Sequence, residues 1–178
     1  MLKKKIREII VGSNNIGKIK EIRDLLPKSY KIFTPNDFNL KSPKENGKSF
    51  LENSLIKAKY YSTKSGKICI ADDSGLEIDF LDKAPGIFSS RWGGKNGNFN
   101  IAIKKVFREL IKKDNDWKDK KITARFVCVL TIYGFKKKPI HSLGMVRGLI
   151  SNKKKGRNGF GYDPIFIPDG STLTFAQM

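Results

Sequence analysis

Residues 49–92 read SFLENSLIKAKYYSTKSGKICIADDSGLEIDFLDKAPGIFSSRW. Ser49 stands three residues before Glu52, the spacing of a capping box, and Leu51, Leu55 and Ala58 continue as a helical stripe. The helix is expected to stop near Ser65-Gly66, where glycine takes the left-handed turn that ends it. Lys67 to Ala71 then reads as a short buried strand, with Asp72 and Asp73 where it surfaces. Sites in open α/β sheets lie outside the carboxyl ends of strands, so chemistry is expected here. Two adjacent carboxylates repel each other, and a divalent cation with oxygen ligands is the usual way to offset that repulsion. Gly75, Pro85 and Gly86 add tight turns, and Ser89, Ser90 and Arg91 supply polar groups suited to a phosphate.

Upstream, Ile6 to Val11 reads as the first strand, followed by GSNNIGK (12–18) and a helix from about Lys18 to Leu26. Pro27 closes that helix, since it has no N–H to donate. Strand, glycine-containing turn and helix together point backbone N–H groups at an anion. The spacing fits most of a Walker A loop, but Ile19 stands where such a loop needs a hydroxyl for magnesium. A phosphate-holding loop of another kind is open, with Ser13, Asn15 and Lys18 as donors. An Asn-rich turn that merely caps a helix is the alternative.

Tyr30 to Phe33 reads as a second strand, and 34–48 as a polar loop near the site entrance. Downstream, Leu76, Ile78 and Phe80 alternate with Glu77 and Asp79, as on a half-exposed strand whose acids form the wet face. A helix from Phe99 carries Ala102, Ile103, Val106, Phe107 and Leu110 on one face, and the Trp117 ring is expected to fold back on the core. Phe126 to Tyr133 is apolar enough for a central strand, with His141 to Ile150 as its antiparallel neighbour. In KGRNGFGYDPIFI (155–167), glycines surround Phe160 and exclude a comfortable helix. Its ring could stack on a base, with Asp163 accepting from an N–H edge, or it could anchor the loop in the core.

A length of 178 residues fits one domain, or one domain of two lobes, and twelve phenylalanines argue against disorder. The formal charge of +19 favours polyanions without choosing among them. Lys136–Lys138 and Lys153–Lys155 have no interleaved aromatics, so they read as solvated surface rather than a nucleic-acid stripe. Paired carboxylates beside a phosphate site would also cost a nucleic-acid-binding module affinity. Cys69 and Cys128 fall inside strands and read as buried free thiols, and the lone His141 excludes a multi-histidine metal cluster. The basic start has too short an apolar run for a signal peptide, and no stretch is long enough to span a bilayer. A reducing cytoplasm is the expected compartment.

The residues resemble the Ham1-like, or inosine triphosphate pyrophosphatase, family. The resemblance rests on SNNIGK (13–18), FLENSLIKA (50–58), ADDSGLEID (71–79), APGIFSSRW (84–92) and GFGYDPIF (159–166), all in the family's order and spacing. It implies an α/β fold, a mixed twisted sheet flanked by helices in two lobes with a central nucleotide cleft, and a homodimer. It also implies magnesium-dependent hydrolysis of the non-canonical purine nucleoside triphosphates ITP, dITP and XTP to the monophosphate and pyrophosphate. On the family pattern Ser13, Asn14, Asn15 and Lys18 hold the triphosphate, with Ser74 beside them. Glu52, Asp72 and Asp73 organise the metal, and Asp73 acts as base toward water. Lys57 and Arg91 assist around the phosphates. Phe160 stacks on the purine, and Gly161, Tyr162 and Asp163 build the wall beside it. Nucleic acid and membranes are not expected partners. Family members continue past the region matched by Thr172 to Met178, through a lysine and a His-Arg pair into a helix. Residues 1–178 are therefore expected to form a single ITPase-like domain that lacks this base-reading end. A weakly active or inactive nucleotide-binding protein and a basic nucleic-acid-binding module are the alternative outcomes.

Overall fold

Strand β1 (Glu8–Val11), β2 (Lys31–Phe33), β3 (Ile68–Ile78), β4 (Thr123–Tyr133), β5 (Ile140–Ile150) and β6 (Phe166–Pro168) form one six-stranded sheet in the order β2-β1-β3-β4-β5-β6. β1 runs parallel to β2 and β3, while β5 and β6 are antiparallel, so the sheet is mixed. Three helices flank it: α1 (Ile16–Leu25), α2 (Phe50–Ser65) and α3 (Phe99–Lys113). The computed structural model describes residues 8–94 and 96–178. Ile6 and Arg7 of the expected first strand, and the basic start, lie outside them. The described residues divide into two units, 8–73 with 129–143 and 74–94 and 96–128 with 144–178, and β3, β4 and β5 each contribute to both.

In the first unit, β1 and the start of β3 carry apolar side chains on both faces. Ile9, Val11 and Ile70 pack with Ile19 and Ile22 of α1. Ile10, Cys69 and Ala71 pack with Ala58 and Tyr61 of α2. The two-residue period of a strand therefore sends even-numbered residues at the start of β3 towards α1 and odd-numbered ones towards α2. Gly12 follows β1 where a Cβ would stand 2.7 Å from the Tyr61 ring and 2.8 Å from Cys69 Sγ, which leaves room only for glycine. Cys69 and Cys128 are free thiols, and burial pushes the Cys69 thiol up to about 12.

α2 starts and stops where its sequence says. Ser49 Oγ accepts the Glu52 N–H, and Gly66 caps the far end in the left-handed region at φ 66°. α1 begins two residues earlier than expected, because Asn15 is its N-cap and accepts the Lys18 N–H.

The larger correction concerns β3. It does not end at Ala71; it continues through Asp72, Asp73, Ser74 and Gly75 to Ile78 as one strand. Ser74-Gly75 is not a turn, and Phe80 belongs to a short 3-10 turn rather than to a separate strand.

The second unit is built on α3. Ala102, Ile103, Val106 and Leu110 join Leu76, Ile78, Trp117, Ile165 and Phe166 in its core. Trp117 is buried and stacks on Phe107, as expected. Glu77 near the end of β3 accepts from Arg125 Nε at 2.7 Å, and Asp79, the first residue of the 3-10 turn after it, accepts from the Thr123 hydroxyl at 2.7 Å. Asp82 and Lys83 turn the chain with φ of 52° and 66°, both in the left-handed region, and Lys113 Nζ holds Asp82 at 2.7 Å. Among the described residues no helix is long and apolar enough to cross a membrane.

Candidate active site

Asp72 and Asp73 are 3 % and 5 % exposed, so both carboxylates are inside the protein rather than at a strand's end. Being adjacent on β3, they leave opposite faces of the sheet, and each meets a lysine from the helix on its own side. Lys18 Nζ of α1 lies 2.7 Å from Asp72 Oδ2. Lys57 Nζ of α2 lies 3.0 Å from Asp73 Oδ1 and 3.0 Å from Glu45 Oε1. The expected repulsion between neighbouring acids is thus relieved first by strand alternation and then by two ammonium groups.

Electrostatics at Asp73 are a contest between burial and charge. Burial raises its carboxyl above the ordinary value, and the Lys57 ammonium opposes that rise without cancelling it. Lys57 shows the converse. Burial works against its charge, yet Asp73, Asp72 and Glu45 together hold it above the usual lysine value. Asp73 is left with one oxygen, Oδ2, that is buried and has no hydrogen-bond partner among the described residues. A carboxylate with one oxygen clamped by a cation and the other uncommitted can take a proton or bind a metal.

The GSNNIGK turn is locally self-satisfied. Ser13 Oγ accepts the Asn15 N–H, Asn15 Oδ1 accepts the Lys18 N–H, and Asn14 Nδ2 donates to Ser42 Oγ at 2.8 Å. The helix-capping role of this turn is therefore real, with the α1 N-terminus and Lys18 placed behind it. Glu52 is exposed, and its Oε2 accepts the Lys48 N–H at 2.8 Å. Its carboxylate thus reaches one residue beyond the cap. Among the described residues no three acids, histidines or cysteines gather as a metal would require. The carboxylate oxygens of Asp72, Asp73 and Glu45 nonetheless have the hard-donor chemistry that magnesium takes, and Asp73 Oδ2 has a lone pair to give. Glu45 was not singled out in the sequence. It sits in a polar loop two residues after Pro43, and only the fold brings it to Lys57.

In the second unit the remaining predicted residues fall into two groups. Ser74 is half-buried on β3, and Arg91 is exposed with its guanidinium 4.9 Å from the Phe88 ring centroid. The glycine loop holds Phe160 half-buried, between Gly159 and Gly161 at φ 70° and 72°. Asp163 Oδ2 accepts the Phe160 N–H at 2.8 Å, so this acid first shapes the loop that carries the ring. Burial raises its carboxyl, and that N–H pulls the other way. Tyr162 is 2 % exposed, and its hydroxyl donates to Ser89 O at 2.8 Å. Its ring is a core member and a tie to the 86–91 segment, not a free wall. A groove of about 530 Å³ lined by Leu81, Trp92, Lys105 and Lys113 holds none of the residues expected to act on substrate.

A mixed sheet flanked by helices, with two buried acids each clamped by a lysine, defines an α/β protein with a buried cluster of titratable groups. The chain belongs to the Ham1 family, which it matches over residues 9–178. It is 42 % identical over 176 residues to a dITP/XTP pyrophosphatase of Dictyoglomus thermophilum, covering 97 % of this chain and 83 % of that protein. A dITP/XTP pyrophosphatase of Zymomonas mobilis subsp. mobilis is 38 % identical over 171 residues, covering 96 % and 80 %. Among solved structures, a HAM1 protein from Coxiella burnetii superposes with a TM-score of 0.85 at 36 % identity, covering 97 % of this chain and 87 % of that one.

Proposed function

We propose that this protein hydrolyses non-canonical purine nucleoside triphosphates, with ITP, dITP and XTP as substrates, to the monophosphate and pyrophosphate. The observation that carries the reading is Asp73, buried, held by Lys57, and with Oδ2 uncommitted. Kinship with proteins named dITP/XTP pyrophosphatases supports the substrate class.

In this reading Asp73 accepts a proton from water as the water oxygen bonds to the α-phosphorus. The bond from that phosphorus to the bridging oxygen breaks, and pyrophosphate leaves with the electron pair. The raised carboxyl value makes Asp73 a stronger base than an exposed aspartate, and Lys57 keeps it ionised until it is used. Lys18 and the Ser13–Asn15 turn bind the phosphate chain, with Ser74 and Arg91 adding polar contacts. Phe160 takes the purine face, and Gly161 and Asp163 set its loop. Glu45 and Asp73, which meet at Lys57, would supply carboxylate oxygens to magnesium, which when bound would polarise phosphate oxygens and neutralise their charge. A homodimer belongs to the same reading, supported by exposed Leu143, Met145 and Val146 on β5. This reading gives nucleic acid no role as the physiological ligand.

Product analysis tests the reaction. Incubation with ITP and magnesium should release pyrophosphate and the monophosphate, and a chelator should stop it. Orthophosphate with a nucleoside diphosphate as the first products would sink the proposal.

A further inference from the structure

The start of α2 does more than begin a helix. Asn53 is fully buried, and its Oδ1 accepts the Gly47 N–H at 2.9 Å. Glu52 Oε2 accepts the Lys48 N–H at 2.8 Å. These bonds fasten successive backbone amides of the 43–48 loop to successive side chains of the first helical turn. The approach is close, since a Cβ on Gly47 would stand 2.7 Å from both Asn53 Oδ1 and Glu52 Cβ. Two residues before the fastening, Glu45 reaches Lys57. Lys57 is four residues after Asn53, one turn along the same helical face. One face of α2 therefore fixes the loop's backbone with Asn53 and its acid with Lys57.

A buried asparagine with an unsatisfied donor is costly. Asn53 Nδ2 is buried without a partner among the described residues, so the side chain is kept for what its oxygen does.

We infer that Glu52 and Asn53 are positioning residues, which hold the 43–48 loop on α2 so that the Glu45 carboxylate stays on Lys57 beside Asp73. The inference rests on the proposed pyrophosphatase reaction for its catalytic half only. It gives the glutamate of FLENS the work of a hydrogen-bond acceptor rather than of a charge, and that difference can be measured. Glu52→Gln keeps an oxygen that can accept the Lys48 N–H but removes the charge. Glu52→Ala removes both.

Amide hydrogen exchange of the unliganded protein reads the fastening directly. In Glu52→Ala the Lys48 amide should exchange about tenfold faster, the worth of one hydrogen bond to a charged group. In Glu52→Gln it should stay within about threefold of wild type, since a neutral acceptor gives up part of that worth. Turnover of ITP should follow the same order, with kcat down about tenfold in Glu52→Ala and KM for ITP little changed. Gly47→Ala, which pushes the loop off α2 from the other side, should reproduce the Glu52→Ala pattern without touching an acid. Unchanged exchange in Glu52→Ala overturns the fastening. Faster exchange with unchanged kcat overturns the positioning role, as does a Glu52→Gln variant as slow as Glu52→Ala. A wild-type protein inert towards all three triphosphates would remove the parent reaction and with it the catalytic half, while the exchange rates would still decide the fastening.

Discussion

Replacing Lys57 by methionine keeps most of the side chain's apolar stem and deletes its charge. The Lys57 side chain is only 10 % exposed, and its ammonium lies 3.0 Å from each of two carboxylates. One of those, Asp73, is 5 % exposed. Removing one partner of a buried ion pair costs about 3–5 kcal/mol, because the other charge is left without compensation. At about 2–4 °C per kcal/mol for a domain of this size, the melting temperature at neutral pH should fall by roughly 6–20 °C.

The fall should depend on pH in a definite sense. Burial already raises the Asp73 carboxyl above its ordinary value. A carboxyl raised in the fold stabilises it while protonated, and that contribution is lost as pH rises through the folded value. Without Lys57 the folded value climbs further, so the variant should match wild type best in mild acid and trail it most at neutral pH and above. Calorimetric melts across that range supply the test. Melting within about 2 °C of wild type at every pH, less than 1 kcal/mol, would show that Asp73 does not need the ammonium to remain buried.

Three further substitutions probe other parts of the molecule. Asp73→Asn should leave ITP binding measurable by calorimetry while turnover drops on the order of 10²–10⁴; an unchanged rate would remove Asp73 as the base. Lys83→Gly relieves a left-handed residue at φ 66° and should raise the melting temperature by about 2–4 °C, for roughly 1 kcal/mol of strain; a lower temperature would show the turn to be comfortable. Tyr162→Phe takes the donor from the Ser89 carbonyl and should cost about 1–3 kcal/mol in urea unfolding, and no cost would mean that this tie contributes nothing.

What could be read beforehand was whatever the chain encodes locally. Ser49 and Gly66 mark the ends of α2 by cap chemistry, and the spacing of Ala102, Ile103, Val106 and Leu110 marks the buried face of α3. Local encoding misled at Ser74-Gly75. These residues favour turns in isolation, but here they are half-buried and buried within an eleven-residue strand, where tertiary pairing overrides propensity. That strand is also what sends Asp72 and Asp73 to different lysines, a separation that a turn after Ala71 would not impose. Glu45 was out of reach for another reason. Nothing within a polar loop distinguishes an acid that will fold onto Lys57 from one that will face solvent. The Tyr162 hydroxyl was similar, because its partner, Ser89 O, is 73 residues away in the chain.

The alternation along β3 also restricts how this protein can change by descent. Substitution at Asp72 or Asp73 alters one acid–lysine pair at a time. Insertion or deletion of a single residue between Ile68 and Asp72 is a different event. It would rotate both acids together, handing Asp73 to the α1 side and Asp72 to the α2 side, while also turning Cys69, Ile70 and Ala71 to the wrong neighbours. Such a length change at the Gly66 turn, which is already left-handed and has open space around it, could be absorbed before the strand begins. Lineages of this chain should therefore vary in length at the end of α2 and hold the count from Ile68 to Asp73 fixed, whatever the residues in between become.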